Sequence, residues 1–157
     1  MSTSQRNRVT RAATLLLALL LAAPTDAERP AEPLLLVTPE EARLPTQTKV
    51  ANRTLPSDGP IIDLESPTNG GVYEGSFAIL VEFRPGENGL PVDMGTLELE
   101  YKRAWGIHIT SRVRGYIEGL AIRVAQAEVP RGRHTVEIRI RDVDRNLTAQ
   151  LFTVTVR

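Results

Sequence analysis

The sequence predicts an all-β protein: an immunoglobulin-like β-sandwich of about seven strands, preceded by a proline-rich arm with one short helix. Two observations predict the sandwich. After residue 60, apolar and polar residues alternate in short runs, which is the pattern of strands with one buried and one exposed face. Clusters of Gly, Pro, Asn and Asp separate these runs. About seven such strands in roughly 100 residues match the size of an immunoglobulin-like domain.

The strands are predicted from their alternating apolar residues. In chain order these are 61–64; Phe77, Ile79, Val81 and Phe83; Leu97, Leu99 and Tyr101; Ile107 and Ile109; Leu120, Ile122 and Val124; Val136, Ile138 and Ile140; and Phe152, Val154 and Val156. Residues 110–118 break the pattern, and Thr110 or Ser111 there could cap a short helical turn. We therefore expect this segment to cross from one sheet to the other.

The chain before the sandwich is rich in proline. Six of the 11 prolines lie between residues 28 and 60, and the cluster at 57–60 has the composition of a turn. The predicted domains are a signal peptide (1–27), the arm (28–59) and the sandwich (60–157). Within the arm, Thr38, Pro39 and Glu41 predict a helix start, because Thr caps, Pro fits the first turn and Glu completes a capping box.

One stretch of the arm is apolar for a linker: Leu34, Leu35, Leu36 and Val37. Two interpretations stay open. The stretch either packs back on the sandwich, since an exposed apolar patch is a liability in water, or it docks a partner. If the boundary near residue 60 is right, the sandwich is expected to fold without the arm.

The first residues have the features of an export signal. Arg6, Arg8 and Arg11 precede an apolar run at 12–23, and small residues lead to Ala27. The run is short for a membrane span, which takes about 20 apolar residues, so cleavage after Ala27 is favoured over a retained anchor. We expect an exported, periplasmic protein with no transmembrane segment after cleavage, and no lipid anchor because Cys is absent.

Composition argues against several chemistries. The absence of Cys removes disulfides, thiolate metal sites and a cysteine nucleophile, and the two His lie on different predicted strands. The sequence has no G-x-S-x-G motif and no phosphate-binding glycine loop. We therefore expect no enzyme activity, no metal and no cofactor. Asp142, Asp144 and Asn146 match the start of a calcium loop, but a hairpin turn uses the same residues, and both alternatives stay open.

The net charge is zero, but the charges are unevenly distributed. Residues 58–100 contain nine acids and one base, whereas residues 101–157 contain eleven bases and five acids. Opposite charges could pair across strands, or arginines could group at one end as an interaction surface. The candidate surface comprises Arg112, Arg114, Arg123, Arg131, Arg133 and Trp105. Its expected partner is an envelope protein, with a glycan or anionic lipid as the alternative; the neutral total argues against nucleic acid.

The last hairpin resembles those of bacterial immunoglobulin-like (fibronectin type III-like) domains. In residues 129–142 a Val-Pro-x-Gly-x-His turn precedes an alternating strand that ends in Asp, and residues 152–156 match the final strand. Ser66-Pro67 and residues 77–81 resemble the first strands of such domains, although Arg145 stands where many relatives have Gly. More narrowly, residues 105–113 resemble a segment of small exported proteobacterial proteins with one such domain. The resemblance implies the fold of 60–157 and no particular activity.

The sequence thus predicts a non-catalytic interaction or accessory module of the bacterial cell envelope. The alternative is an envelope-binding module for glycan or anionic lipid, which would use the arginines and Trp105. The apolar stretch of the arm and the arginine surface are the two candidate sites.

Overall fold

A computed structural model shows a β-sandwich and describes residues 32–46 and 58–157. In chain order its elements are β1 (Leu34–Leu35), α1 (Pro39–Arg43), β2 (Ile61–Ser66), β3 (Val72–Tyr73), β4 (Phe77–Arg84), β5 (Val92–Tyr101), β6 (Ile107–His108), α2 (Thr110–Val113), a 3₁₀ turn (Arg114–Tyr116), β7 (Ile117–Glu118), β8 (Ala121–Glu128), β9 (Gly132–Asp142) and β10 (Leu147–Val156). The predicted signal peptide lies outside the described residues.

The strands form two mixed sheets. The order is β1-β8-β4-β2 in the first sheet, where β7 also pairs with β8, and β3-β10-β9-β5-β6 in the second. β4 runs antiparallel to β2 and β8, and β9 runs antiparallel to β5 and β10. The predicted fold class is confirmed, since each of the seven predicted runs overlaps a strand, although Ile109 and Leu120 lie just outside β6 and β8. The additional strands β1, β3 and β7 have two residues each.

The core lies between the two sheets and follows from the alternation. On β4, Phe77, Ile79, Val81 and Phe83 are all buried, and the residues between them are exposed or half-buried. The inner faces of β9 and β10 show the same alternation. A shift of one residue in strand register would move these apolar side chains to the outside, so burial fixes the register.

Residues 110–116 cross from the second sheet to the first, as the sequence predicts. The expected side-chain cap is wrong, because α2 begins after Ile109 and has no capping hydrogen bond from a side chain. Instead, the hydroxyl of Thr110 accepts the backbone N–H of Leu99 at 2.8 Å. Thr110 therefore fixes the crossing segment to β5.

The described part of the arm is built into the sandwich. β1 runs parallel to β8, and the N–H of Leu36 donates to the carbonyl of Glu128 at 3.0 Å. Leu36 and Val37 are 3% and 0% exposed and belong to the common core. Leu34 is half-buried, while Leu35 is 47% exposed. For Leu36 and Val37, packing back on the sandwich is the observed arrangement, and both side chains belong to its core.

The helix predicted at Thr38 is present as α1. Thr38 Oγ1 accepts the N–H of Glu41 at 3.2 Å, and Glu41 Oε2 accepts the N–H of Thr38 at 2.9 Å, which completes the capping box. Beyond α1, the carbonyl of Pro45 accepts the N–H of Ala104 at 2.8 Å. Residues 34–46, called the docked arm below, therefore extend from β8 in the first sheet to the β5–β6 turn in the second.

The docked arm bears on the expectation that the sandwich folds without the residues before the boundary near residue 60. Because Leu36 and Val37 share the core with the sandwich strands, removal of the arm would leave apolar surface uncovered. Independent folding of residues 60–157 is therefore no longer expected. Within the described ranges, no helix has the length and apolarity needed to cross a membrane.

Candidate functional site

Arg112 of the candidate surface is occupied by the docked arm. Its guanidinium donates to both carboxylate oxygens of Glu41, at 2.8 and 2.6 Å, and to the carbonyl of Leu36 at 2.7 Å. The hydrogen bonds from Arg112 lower the pKa of the Glu41 carboxyl to about 2, against the opposing effect of burial. The two side chains are only 26% and 18% exposed. Arg112 thus holds the arm and is not available as a ligand-binding group.

The other candidate arginines do not form one group. Arg123 lies near the start of β8 and pairs with Glu82 at 2.9 Å, whereas Arg131 follows the far end of β8. Eight positions separate the two arginines in the sequence, which is about 26 Å of extended chain. Arg114 is exposed on the 3₁₀ turn. The predicted grouping at one end is not observed for Arg123 and Arg131, because Arg123 lies near the start of β8 and Arg131 follows its far end.

Leu35 and Arg131 meet in one groove at an end of the sandwich. A cavity of about 300 Å³ is lined by Leu35, Pro39, Ser76 and Glu128. A second cavity of about 680 Å³ is lined by Glu74, Arg131, Val156 and Arg157. Gly75, Val129 and Pro130 line both cavities. Because they share these three residues, the two cavities are adjacent, and together we call them the end groove.

Strand alternation and a turn shape the end groove. Leu36 follows β1 directly and is buried in the core. Because side chains alternate along an extended chain, the preceding Leu35 faces outward. On the other wall, the chain leaves β8 through Val129 and Pro130 and enters β9 at Gly132. Gly132 has a φ of 133°, which side chains with a Cβ rarely adopt. The candidate residue Arg133 is exposed just beyond this turn and does not line the groove.

A buried polar cluster lies beneath the β8–β9 turn and bonds to it. His134 is 2% exposed, and its Nε2–H donates to the carbonyl of Pro130 at 2.7 Å. Since a carbonyl can only accept, the neutral ring accepts the hydroxyl of Tyr101 at Nδ1, at 2.8 Å. Burial lowers the pKa of His134 from its usual 6.5, and the charge of Arg103 acts in the same direction.

Arg103 extends this cluster to the docked arm. Its guanidinium carbon lies 4.7 Å from the centre of the Tyr101 ring, within the range of a cation–π contact. Its Nη1 donates to Thr46 Oγ1 at 2.8 Å. Arg103 is 6% exposed. The β8–β9 turn and the arm, which are the two sides of the end groove, are therefore connected through Tyr101 and its neighbours.

Trp105 is separate from the end groove. It lies on the β5–β6 turn and is 64% exposed, so it is an exposed side chain and not a core plug. The turn is fixed to the arm by the hydrogen bond from Ala104 to Pro45. Gly106 lies against the side chain of Glu100, and a side chain in its place would overlap that carboxylate. The structure thus holds Trp105 at the surface on a constrained turn.

Next to Trp105, the outer face of the second sheet carries an ion-paired network. Lys102 Nζ lies 2.8 Å from Glu100 and 3.1 Å from Glu137, and Arg139 lies 2.7 Å from Glu137. Burial raises the pKa of Glu100, but the hydrogen bond and charge of Lys102 outweigh it and the net shift is downward. Two acids and two bases cancel here. Pairing across strands between the acidic and basic halves of the sequence occurs at Arg139 and Glu100, 3.9 Å apart, and at Arg123 and Glu82, 2.9 Å apart.

The turn between β9 and β10 is organised by Asp142. This carboxylate is 1% exposed and accepts from the side chains of Asn88 and Asn146 and from the N–H groups of Asp144 and Asn146. These bonds lower its pKa although burial opposes them. Arg145 adopts a φ of 69°, which is the left-handed conformation that Gly would favour. The hairpin interpretation is the observed one.

The other interpretation of this turn is a calcium site. Asp142 is already hydrogen-bonded at both oxygens, which leaves it poorly suited to calcium, an ion that takes six to eight oxygen ligands. Over residues 32–46 and 58–157, no three His, Asp or Glu side chains are placed to hold a metal ion. His108 is exposed and His134 is buried, so the two do not converge.

Comparisons with known proteins add little to this geometry. Neither the protein-family models nor the curated proteins contain a match for the chain. Among solved structures, the endo-beta-1,4-mannanase from Thermotoga petrophila is similar with a TM-score of 0.43 and 10% identity, over 62% of this chain and 20% of that one. CopC from Methylosinus trichosporium OB3b is similar with a TM-score of 0.40 and 15% identity, over 64% of this chain and 92% of that one. The chain spans about a fifth of the mannanase, and neither likeness is strong enough to support an inference about function.

Proposed function

We propose that this protein is an exported, non-catalytic binding module of the bacterial cell envelope, and that it docks a partner protein in its end groove. One observation carries the proposal. Leu35 belongs to the candidate docking stretch and Arg131 to the candidate arginine surface, yet they line two adjacent cavities that share Gly75, Val129 and Pro130. The two parts of the groove, about 300 and 680 Å³, fall in the size range of protein binding pockets, about 300–1,000 Å³.

A binding role also fits the state of the acid and base groups. Glu41 is committed to Arg112, and Glu100 is committed to Lys102. His134 is buried and hydrogen-bonded at both ring nitrogens. Each of these side chains has a structural role, and a general acid or base would need to reach a substrate.

Site-specific photocrosslinking in the source cell tests the proposal. A benzophenone amino acid replaces Leu35 in the full chain, and the matched control places it at Leu120, which is 45% exposed at the opposite end of β8. We expect one dominant protein adduct from position 35 that is absent from position 120, identified by mass spectrometry. Equal adducts from both positions, or adducts with no protein partner, would refute docking in the end groove.

A second candidate function is a glycan- or anionic-lipid-binding module that uses Trp105. The exposed indole on a constrained turn favours it, because aromatic side chains that expose an apolar face often anchor ligands. Trp105 is the sole Trp of the chain, so its fluorescence reports directly on binding. A spectral shift with chitopentaose would support glycan binding. A shift with phosphatidylglycerol vesicles that is lost at 0.5 M salt, roughly three-fold above physiological ionic strength, would support anionic lipid.

A further inference from the structure

We propose that the partner presents an extended segment in which an apolar side chain and an acidic one lie two positions apart, because side chains two positions apart point to the same face of an extended chain. The apolar side chain would enter the smaller cavity of the end groove, and the acidic side chain would meet Arg131 in the larger one. This inference rests on the proposed function and specifies the chemistry of its partner.

The smaller cavity has the character of an apolar side-chain pocket. Leu35 and Pro39 of the arm form one wall, and Val129 and Pro130 form the other. Leu35 leaves 47% of its surface exposed in a position where its neighbours Leu36 and Val37 are fully buried. Covering this apolar surface is favourable at about 25 cal/mol per Å². An aliphatic side chain supplies that cover.

The larger cavity contains an arginine that forms no salt bridge among the described residues. Arg131 and Arg157 line it together with one acid, Glu74. Among the described residues, Arg131 makes no salt bridge, in contrast to Arg112 and Arg123. A guanidinium with unused donors binds a carboxylate in a planar, bidentate geometry. A carboxylate at this position would therefore find both charge and geometry to match.

The charges also set the order of the two side chains along the groove. Glu128 lines the smaller cavity and repels an acid placed there. The acid of the partner must then lie on the Arg131 side and the apolar residue on the Leu35 side. Reversal of the two would place the acid against Glu128 and the apolar group against the guanidinium groups.

Fluorescence anisotropy with two synthetic peptides tests this inference on the full mature chain. One labelled nonapeptide carries Leu at positions 1, 5 and 9 and Asp at positions 3 and 7, with Ser between them. The other carries Lys in place of Asp, so that in both peptides the Leu and charged side chains share one face. The variant Arg131→Glu reverses the charge at position 131 of the groove. Its matched control is Arg133→Glu, which makes the same charge change two residues away on a side chain that does not line the groove.

We expect the Asp peptide to bind and the Lys peptide to bind at least about tenfold more weakly, since hydrogen bonds to charged groups are worth about 1.5–3 kcal/mol. Arg131→Glu should weaken binding of the Asp peptide by about tenfold, and Arg133→Glu should weaken it by less than about twofold. Equal binding of both peptides, equal effects of both variants, or no binding of either peptide would each overturn the inference. If the crosslink from position 35 still captures a protein in that case, the proposed function survives and only the acidic partner is wrong.

Discussion

At the scale of single residues, Arg112 is the contact that fixes the arm. Its planar guanidinium meets both carboxylate oxygens of Glu41 and also the carbonyl of Leu36. Such bidentate, half-buried pairs hold one geometry, unlike exposed pairs that solvent and salt weaken. The pair therefore contributes more to stability than most surface salt bridges do.

Replacing this arginine gives the first prediction. Arg112→Ala should lower the free energy of unfolding by about 1.5–3 kcal/mol, because Glu41 loses its charged partner. The control is Arg123→Ala, whose pair with Glu82 is 47% and 38% exposed, and which should cost about 0.2–1 kcal/mol. Urea unfolding followed by circular dichroism measures both. Equal losses in the two variants would contradict the role given to Arg112.

His134 gives a prediction about pH. Its pKa is lower in the folded protein than the usual 6.5, so the unfolded chain takes up a proton first as the pH falls. Stability is then complete above about pH 6.5 and decreases as the pH drops below that value. Arg103 is the charged group that faces His134, and Tyr101 is the other titratable side chain in contact with it.

The variant His134→Gln isolates this effect, since Gln can still donate and accept a hydrogen bond. We expect the wild-type midpoint of thermal unfolding to fall between pH 7 and pH 5, and the variant to show a clearly smaller fall. A parallel pH dependence in both proteins would mean that His134 does not titrate in this window. The Glu41 carboxyl does not interfere, because its contribution is lost only as the pH falls from 4.5 toward about 2.

At the scale of elements, β1 shows how two residues can attach a whole segment. It pairs with β8 at Leu34 and Leu35, and the chain then inserts Leu36 and Val37 into the core. Leu36→Ala should destabilise the protein by about 2–5 kcal/mol, because the truncation leaves a cavity in packed surroundings. The adjacent Leu35→Ala should change stability by less than about 0.5 kcal/mol. Thermal unfolding of both variants checks this, and similar costs would show that β1 is not docked as described.

Local pattern accounts for the elements that the sequence predicts correctly. The seven alternating runs and the capping box at Thr38 are readable because each depends on residues within a few positions. The strands β1, β3 and β7 have two residues each, which is too short to show an alternation of apolar and polar residues. Thr110 was expected to cap a helix, but its hydroxyl bonds to Leu99 of a neighbouring strand, which no local pattern reveals.

At the scale of the whole molecule, the candidate site depends on contacts that are distant in the sequence. Hydrophobicity and charge make Leu35 and Arg131 candidates in the sequence, and the fold places them in the adjacent cavities of the end groove. Arg112 is a candidate on the same ground, but its partner Glu41 lies 71 positions away. The structural roles of Arg103 and Glu41 are not predictable from the sequence, because a buried or paired charge looks like any surface charge until its partner is known.

The arm is the structural basis of the account, since the end groove loses a wall if residues 34–46 leave the sandwich. Amide hydrogen exchange of residues 28–157, followed by mass spectrometry of the peptides that cover residues 34–46 and Ala104, tests this most directly. The account predicts protection of the amides of Leu36, Ala42 and Ala104, which donate to Glu128, Thr38 and Pro45, at a level close to that of β8. Complete exchange of the arm within seconds, with β8 still protected, would show that the arm is free in solution and would remove the groove on which both proposals rest.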